Sequence, residues 1–257
     1  MRIQPFSFIK EPLAAPTPPP PSFPTLSGTL VDYWESTKGV TGTTNVSAWV
    51  GEQNGETLTY LNSTGPAVSS SNAGFNSQDT LSFNGVDQGL GKIFSNEGGT
   101  NTGDVYMSIY AAPHGDGSDW GAMHGLSNPA TPSLPAADFV ECMFRATSTT
   151  QIQMYSYPGG LYSESDDDTY GKGIYTLVAG SSEGRKFFNK GTTANANGGA
   201  YSTYKTNRQG FTIGAYNFNS PRLYGKVDIA GVVIWTNPTD YASDISAIES
   251  YFQSIFG

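Results

Sequence analysis

Short hydrophobic runs recur along the chain from Leu30 onward, at intervals of about ten residues, and turn-forming residues separate them. Runs of this length with apolar and polar positions in alternation are typical of β-strands. Eleven runs can be recognised: TLVDYW, VSAWV, TLTYL, TLSFNG, DVYMSIYAA, DFVECMF, QIQMYSY, GIYTLVAG, RKFFN, GFTIGAY and KVDIAGVVIW. No repeat of fixed period accompanies them, which argues against a propeller or a solenoid. The pattern predicts an all-β fold, a two-sheet antiparallel sandwich of the jelly-roll type.

The pattern changes only at the C terminus, where the hydrophobic period becomes helical. Ile245, Ile248, Phe252 and Ile255 recur at helical spacing. Either Asp240 or Ser243 can cap the first turn. We therefore predict one amphipathic helix, packed along the edge of the sandwich.

Composition supports this prediction and excludes several classes of function. Charged residues make up only 14% of the chain, against a usual share of about 25%. The net charge of −9 and the absence of a basic cluster exclude a nucleic-acid interface. No stretch reaches the roughly 20 apolar residues of a membrane helix, so we expect no membrane insertion. The one cysteine, Cys142, allows no intramolecular disulfide and is predicted to be a core thiol.

The N-terminal 27 residues form a segment of different character. Pro16 and the run from Pro18 to Pro21 favour an extended polyproline spacer. We therefore divide the chain into a Pro-rich arm, 1–27, and a globular domain, 28–257. Four large apolar residues precede the spacer and predict an anchor peptide, docked on another subunit or on its own domain: Ile3, Phe6, Phe8 and Ile9. The stretch does not read as a signal peptide, which predicts synthesis and folding in a cytoplasm.

Residues 81–90, LSFNGVDQGL, combine a strand with a tight reversal. Leu81 and Phe83 alternate inward, Asn84-Gly85 supplies the turn, and Val86 and Leu90 are expected to return apolar side chains. This stretch resembles the signature of laminin-G-like, concanavalin A-like jelly-roll domains. The resemblance extends over about residues 30–257, and its other segments are 31–37, 46–55, 210–217, 223–238 and the closing helix. One departure is Lys190, inserted between Asn189 and Gly191 where such domains usually have a plain Asn-Gly hairpin.

The resemblance implies a domain class found in sugar-binding modules, adhesins and phage virion proteins. Together with the arm and the missing catalytic set, it predicts a non-enzymatic structural virion protein, either a capsid decoration or a tail or fibre component. The arm would join it to other virion proteins in a larger homo- or hetero-assembly, so that the expected location is the virion. The alternative is a carbohydrate-binding adhesin module that recognises host-surface glycans.

Carboxylates cluster in the stretch SESDDDTYGKG, residues 163–173. Catalytic carboxylates on a β-sandwich would alternate with apolar residues that point into the core. Here the residues between Glu164, Asp166 and Asp168 are polar, which indicates a solvated loop. Calcium binding is left open at Asp166 and Asp168, although the spacing of a calcium loop is absent. We therefore predict no cofactor, with calcium as the alternative.

The remaining candidates are histidines and aromatic residues. His114 and Asp116 form an H-x-D pair, with His124 nearby, which invites comparison with an iron site. A Gly-rich surface hairpin between two strands explains this composition without a metal, and we predict none. No G-x-S-x-G nucleophile elbow is present. Aromatic residues could bind sugar or could simply rim the sandwich, and the candidates for sugar binding are Trp120, Tyr155, Tyr157 and Tyr162.

Overall fold

The architecture is taken from a computed structural model. It describes residues 21–93, 104–114, 121–127, 139–145, 151–157, 161–163, 171–180, 185–194, 196–198, 210–215 and 224–257. Within these ranges lie seventeen β-strands, a short 3₁₀ turn at Ala73–Phe75 and one α-helix, α1, at Tyr241–Phe256.

The strands are β1 (Thr29–Glu35), β2 (Val40–Thr41), β3 (Ala48–Val50), β4 (Thr57–Tyr60), β5 (Ala67–Asn72), β6 (Gln78–Asn84), β7 (Leu90–Ile93), β8 (Val105–Pro113), β9 (Gly121–Ser127), β10 (Phe139–Arg145), β11 (Gln151–Tyr157), β12 (Leu161–Ser163), β13 (Gly173–Ala179), β14 (Arg185–Asn189), β15 (Ala196–Gly198), β16 (Gly210–Ile213) and β17 (Lys226–Thr236). Each of the eleven predicted runs contains one of them.

Two antiparallel sheets account for all of these strands. The eight-stranded sheet has the order β15-β14-β13-β8-β17-β6-β5, and β1 pairs with β17 beside β6. The nine-stranded sheet has the order β12-β11-β10-β9-β16-β7-β4-β3-β2. The prediction of an all-β, two-sheet antiparallel sandwich of the concanavalin A-like type with a C-terminal helix is confirmed. Of the predicted arm, only residues 21–27 fall among the described residues, and they contain no strand or helix.

The core lies between the sheets and is built from the alternating positions of the predicted strands. Trp34, Trp49, Leu81, Phe83 and Phe211 are among its fully buried members. The central strands β8, β13 and β17 are buried on both faces and therefore read as nearly continuous apolar runs. Such runs are typical of strands that are covered on both sides.

Helix α1 provides the cover on the second face of the eight-stranded sheet. Its buried residues Ile245, Ile248 and Phe252 pack against Tyr110 and Trp235 of the central strands. The helix therefore lies across the face of the sheet. The prediction that it packs along the edge of the sandwich is wrong. The Asp240 carboxylate caps the helix by accepting a hydrogen bond of 3.0 Å from the Ser243 amide. In the part of the chain that the structure describes, no helix has the length and apolar character needed to cross a bilayer.

The turn after β6 forms as its sequence predicts, with one exception. Leu81 and Phe83 are buried, Gly85 adopts a φ of 75°, and the Asn84 side chain accepts a hydrogen bond of 2.9 Å from the Val86 amide. Val86 itself is 71% exposed, so the expectation that it returns to the core is wrong. Because the Asn84 side chain holds the turn by binding the backbone, the residue after Gly85 projects into solvent.

Candidate functional site

A cleft of about 410 Å³ lies where the N-terminal segment joins the sandwich. One wall is the segment 23–30 and the other is the loop 51–56 between β3 and β4. The residues that line it are Phe23, Pro24, Thr25, Leu26, Gly28, Leu30, Gln53 and Asn54. We call this site the arm cleft.

The loop wall is folded around a buried carboxylate. Asp32 is fully buried, and its two oxygens accept backbone hydrogen bonds of 2.8 Å from Tyr33, Gln53 and Glu56. Gly51 is required beside it, because an added Cβ would lie 2.2 Å from an Asp32 oxygen. Asp32 therefore fixes the backbone that presents Gln53 to the cleft.

The side-chain amides of Asn54 and Gln53, both in the loop wall, differ in their hydrogen bonding. The Asn54 side-chain nitrogen donates a hydrogen bond of 2.6 Å to the Val31 carbonyl. The Gln53 side chain is exposed. Among the described residues Gln53 has no side-chain hydrogen-bond partner, so its donor and acceptor are available to a ligand.

The apolar wall is held on the body of the protein by aromatic stacking and by a buried acid. Phe23 stacks on Tyr33, with ring centroids 4.0 Å apart and planes at 13°. Its ring also meets that of Tyr251 edge to face at 5.1 Å. Ser27 donates from its amide (2.8 Å) and its hydroxyl (3.0 Å) to the Asp244 carboxylate of α1. The segment is thus tied to the C-terminal helix of the same chain.

Acidic groups surround the cleft without lining it. Glu35 is buried and accepts hydrogen bonds from the Tyr251 hydroxyl and from Lys38. Burial, together with the neighbouring carboxylates of Glu35 and Asp32, raises the pKa of Glu52, and Lys38 offsets part of this effect. Burial also raises the pKa of Tyr251, and its hydrogen bond to Glu35 adds to the rise. The Tyr251 hydroxyl therefore stays protonated and acts as a donor to Glu35.

Three of the four aromatic residues predicted to bind sugar lie on neighbouring strands. Tyr155 and Tyr157 belong to β11, and Tyr162 belongs to β12, at one edge of the nine-stranded sheet. The register pairs Tyr162 with Met154 and Tyr155 with Leu161. Trp120 lies outside the described residues. A sugar site at these positions stays a prediction.

The other predicted sites also lie outside the described residues. This applies to the anchor residues Ile3, Phe6, Phe8 and Ile9, and to the acidic residues Glu164, Asp166 and Asp168. Within the ranges that are described, no group of three His, Cys, Asp or Glu side chains is placed to hold a metal ion.

The two histidines occupy quite different surroundings. His114 is half exposed, and its Nε2 lies 3.0 Å from the Asp228 carboxylate. His124 is fully buried, and its register partner Ile213 belongs to the core between the sheets. Neither ring nitrogen of His124 has a hydrogen-bond partner among the described residues. Burial lowers the pKa of His124 from 6.5 to about 3, and the Met107 backbone opposes this only in part.

The buried His124 should make the fold sensitive to acid. In the unfolded chain the His124 imidazole binds a proton below about pH 6.5, whereas in the folded chain it stays neutral down to about pH 3. Stability is therefore complete above pH 6.5 and falls as the pH drops toward 3. Between pH 7 and 4.5 we expect a loss of about 2–3 kcal/mol, at about 1.4 kcal/mol per pH unit.

Urea unfolding of the native protein and of a His124→Leu variant, measured at several pH values, checks this expectation. The variant should lack this part of the acid loss, whereas a His114→Gln variant, which keeps the buried histidine, should retain it. Equal acid loss in the native protein and in His124→Leu would contradict the assignment.

No protein-family model and no curated protein matches the sequence. Several solved structures do share its fold. The Trypanosoma rangeli sialidase in complex with sialic acid aligns with a TM-score of 0.63 at 12% identity, over 91% of this chain and 34% of the sialidase chain. The same sialidase in complex with 2,3-difluoro-KDN gives a TM-score of 0.60 at 13% identity, over 94% and 36%.

An arabinofuranosidase complexed with arabinofuranosyl-α-1,2-xylobiose gives a TM-score of 0.54 at 12% identity, over 83% of this chain and 52% of the enzyme. This chain thus spans about a third of the length of the sialidases. At such low identity the likeness shows the fold, a concanavalin-like β-sandwich that also occurs in carbohydrate-processing enzymes.

The prediction of a non-enzymatic structural virion protein is therefore wrong. Solved structures that share the fold over most of this chain include a sialidase and an arabinofuranosidase, and they give no support to a virion, bacteriophage or capsid role. The prediction depended on the arm and on the lack of adjacent catalytic residues in the sequence. A sandwich joins residues that are distant in sequence, as it joins Phe23 and Gln53, so linear spacing cannot exclude a site. Carbohydrate binding, which belongs to the alternative prediction, is consistent with these structures.

Sequence analysis missed the arm cleft altogether. One signal was available, because Asp32 interrupts the hydrophobic run LVDYW, where a buried acid must find hydrogen-bond donors. The nearby GEQNGE stretch, rich in turn residues, is the loop that supplies them.

Proposed function

We propose that this chain is a glycan-recognising β-sandwich module of a carbohydrate-processing protein, and that the arm cleft is its binding site. The observation that carries the proposal is the shared fold, which covers 91% of this chain in a sialidase solved with sialic acid. An arabinofuranosidase solved with an oligosaccharide has the same fold over 83% of the chain.

The chemistry of the arm cleft supports the same proposal. Sugar sites combine an apolar surface for the C–H faces of the ring with a few placed polar groups for its hydroxyls. In the arm cleft the apolar surface is offered by Phe23, Leu26 and Leu30. The polar groups are the side-chain amides of Gln53 and Asn54. The volume of about 410 Å³ falls within the range of about 300–1,000 Å³ that is usual for ligand pockets.

Calorimetry of the full chain against a panel of oligosaccharides tests the proposal. We expect at least one glycan to bind with a Kd at or below about 1 mM, which corresponds to about −4 kcal/mol. Gln53→Ala should weaken binding about tenfold, because it removes hydrogen bonds of about 0.5–1.5 kcal/mol each. The matched control is Gln253→Ala, at an exposed position of α1, which should leave binding unchanged.

Two further measurements complete the test. Release of a fluorescent aglycone from sialosides and arabinofuranosides shows whether the chain also hydrolyses glycosidic bonds. Alanine variants of Tyr155, Tyr157 and Tyr162 report on the alternative site at β11 and β12. If the full chain binds no glycan of the panel, the proposed function is wrong.

A further inference from the structure

The described residues that line the arm cleft carry no charge. The eight described residues are apolar, amide-bearing, hydroxyl-bearing or glycine. A sugar that carries a carboxylate, such as a sialic acid or a uronic acid, is usually held by Arg or Lys, whose charge replaces lost hydration. The described part of the lining offers no such group.

Two lysines that interact with acidic groups in or beside the loop wall are already paired with carboxylates of the protein. The Lys38 ammonium lies 2.9 Å from a Glu35 oxygen, and Lys92 forms an ion pair with Glu56. Breaking either pair to bind an acidic sugar would leave a protein carboxylate without its partner. Glu35 is almost fully buried, so its unpaired charge would be strongly unfavourable.

Carboxylates stand behind both walls of the cleft. Asp32 lies under the loop wall, and Asp244 lies under the segment 27–28. Glu52, which precedes Gln53 in the loop wall, is exposed. Charges within about 8–10 Å are only partly screened at physiological salt, and the whole chain carries a net charge of −9. An anion that approaches the cleft is therefore repelled.

From this charge distribution we infer that the arm cleft selects neutral saccharides over glycans that carry a carboxylate, sulfate or phosphate. The inference rests on the proposed function, because it names the substrate class of the same site. It also separates this chain from the ligand seen in the similar sialidase, since sialic acid is an anion. Recognition would depend on hydroxyl-to-amide hydrogen bonds at Gln53 and Asn54 and on apolar contact with Phe23 and Leu30.

Matched pairs of oligosaccharides test this selectivity on the full chain. Each pair has the same neutral core, with and without a terminal sialic acid or a uronic-acid substituent. In about 0.15 M salt we expect the acidic member to bind at least tenfold more weakly. The difference should shrink severalfold in about 1 M salt, where the screening length falls to about 3 Å.

Variants of residues in or beside the cleft test whether the selectivity arises there. Thr25→Lys adds a cation to the lining while both amides remain, and it should raise the affinity for the acidic glycan about tenfold. Thr25→Gln, similar in length and neutral, is its control: it should affect the two members of a pair alike, so that the ratio of their affinities stays within about twofold of the native ratio. Glu52→Gln should raise the affinity for the acidic member a fewfold, because it removes one exposed carboxylate.

Each outcome bears on a different claim. Equal or tighter binding of the acidic member, lost in Gln53→Ala, overturns the selectivity and leaves the proposed function standing. Binding that survives Gln53→Ala but is lost in Tyr155→Ala shows a glycan module whose site is elsewhere, and it overturns the inference for the cleft. Absence of any binding removes both the inference and the proposed function.

Discussion

Replacing Asp32 with alanine is expected to lower the free energy of unfolding by about 3–5 kcal/mol. The substitution leaves the backbone N–H groups of Tyr33, Gln53 and Glu56 without their acceptor. Hydrogen bonds to a charged group contribute about 1.5–3 kcal/mol each. The loss should be smaller than their sum, because water reaches some of these groups once the loop loosens. Urea unfolding at neutral pH, followed by tryptophan fluorescence, measures the change.

The same substitution should also remove glycan binding, since the loop that presents Gln53 would lose its anchor. Glu52→Ala is the control, because Glu52 is an exposed acid on the same loop and should alter stability by no more than about 0.5 kcal/mol. A midpoint of unfolding for Asp32→Ala within that same margin would show that the carboxylate does not organise the loop.

Gly231→Ala is expected to lower the free energy of unfolding by about 2–3 kcal/mol, because it overpacks the contact between β17 and α1. A Cβ at this position would lie 2.1 Å from a ring atom of Phe252, which is fully buried under the helix. The helix must then shift away from the sheet. Denaturant unfolding, with near-ultraviolet circular dichroism as a second readout of aromatic packing, measures the effect.

A double-mutant cycle identifies the collision as the cause. Phe252→Ala alone should lower stability by about 3–5 kcal/mol, as is usual for a buried aromatic residue. In that background the added methyl of Gly231→Ala meets no ring, so its cost should disappear and the coupling should reach about 2 kcal/mol. Gly191→Ala, where the nearest atom is 4.0 Å away, should be close to neutral. Additive effects in the cycle would exclude the ring contact as the source of the strain.

Much of the fold was open to prediction because hydrophobic alternation reports burial on one face of a strand. All eleven predicted runs contain strands, and the helical spacing of Ile245, Ile248 and Phe252 identifies α1. Six further strands were missed. The segment AVSSSN of β5 and the segment LGKI of β7 carry too few large apolar residues to stand out, and their backbone pairing is set by their neighbours. Propensity alone does not find such strands.

The position of the helix and the exposure of Val86 could not be predicted from the sequence, for a different reason. A periodic apolar stripe shows that a helix packs on something, but the partner is chosen by tertiary structure. In this chain the outer face of β8, β13 and β17 is also apolar, so the helix covers it. Val86 is apolar, yet it follows a turn that is held by the Asn84 side chain. The hydrogen bond within this turn, and not the apolar character of Val86, decides that the Val86 side chain points into solvent.

The candidate site was less predictable than the fold. The arm cleft exists only because Phe23 lies on Tyr33, ten positions away in the sequence, while Gln53 is held by Asp32, twenty-one positions away. The aromatic residues of the sequence indicated instead a site at Trp120 and at the tyrosines of β11 and β12, which remain candidates. The function was mistaken because it was argued from a terminal segment and from absent motifs, and neither of these constrains a surface assembled by folding.

The place of β17 in the eight-stranded sheet has a consequence for how the protein is made. This strand begins at Lys226, yet it pairs with β1 and β6 on one side and with β8 on the other. The sheet therefore lacks its middle strand until residue 236 has left the ribosome, and the earlier strands keep unpaired edges until then. Because long-range pairing of this kind is slow and exposes edges that associate, we expect the nascent chain to be most prone to association before β17 has been synthesised.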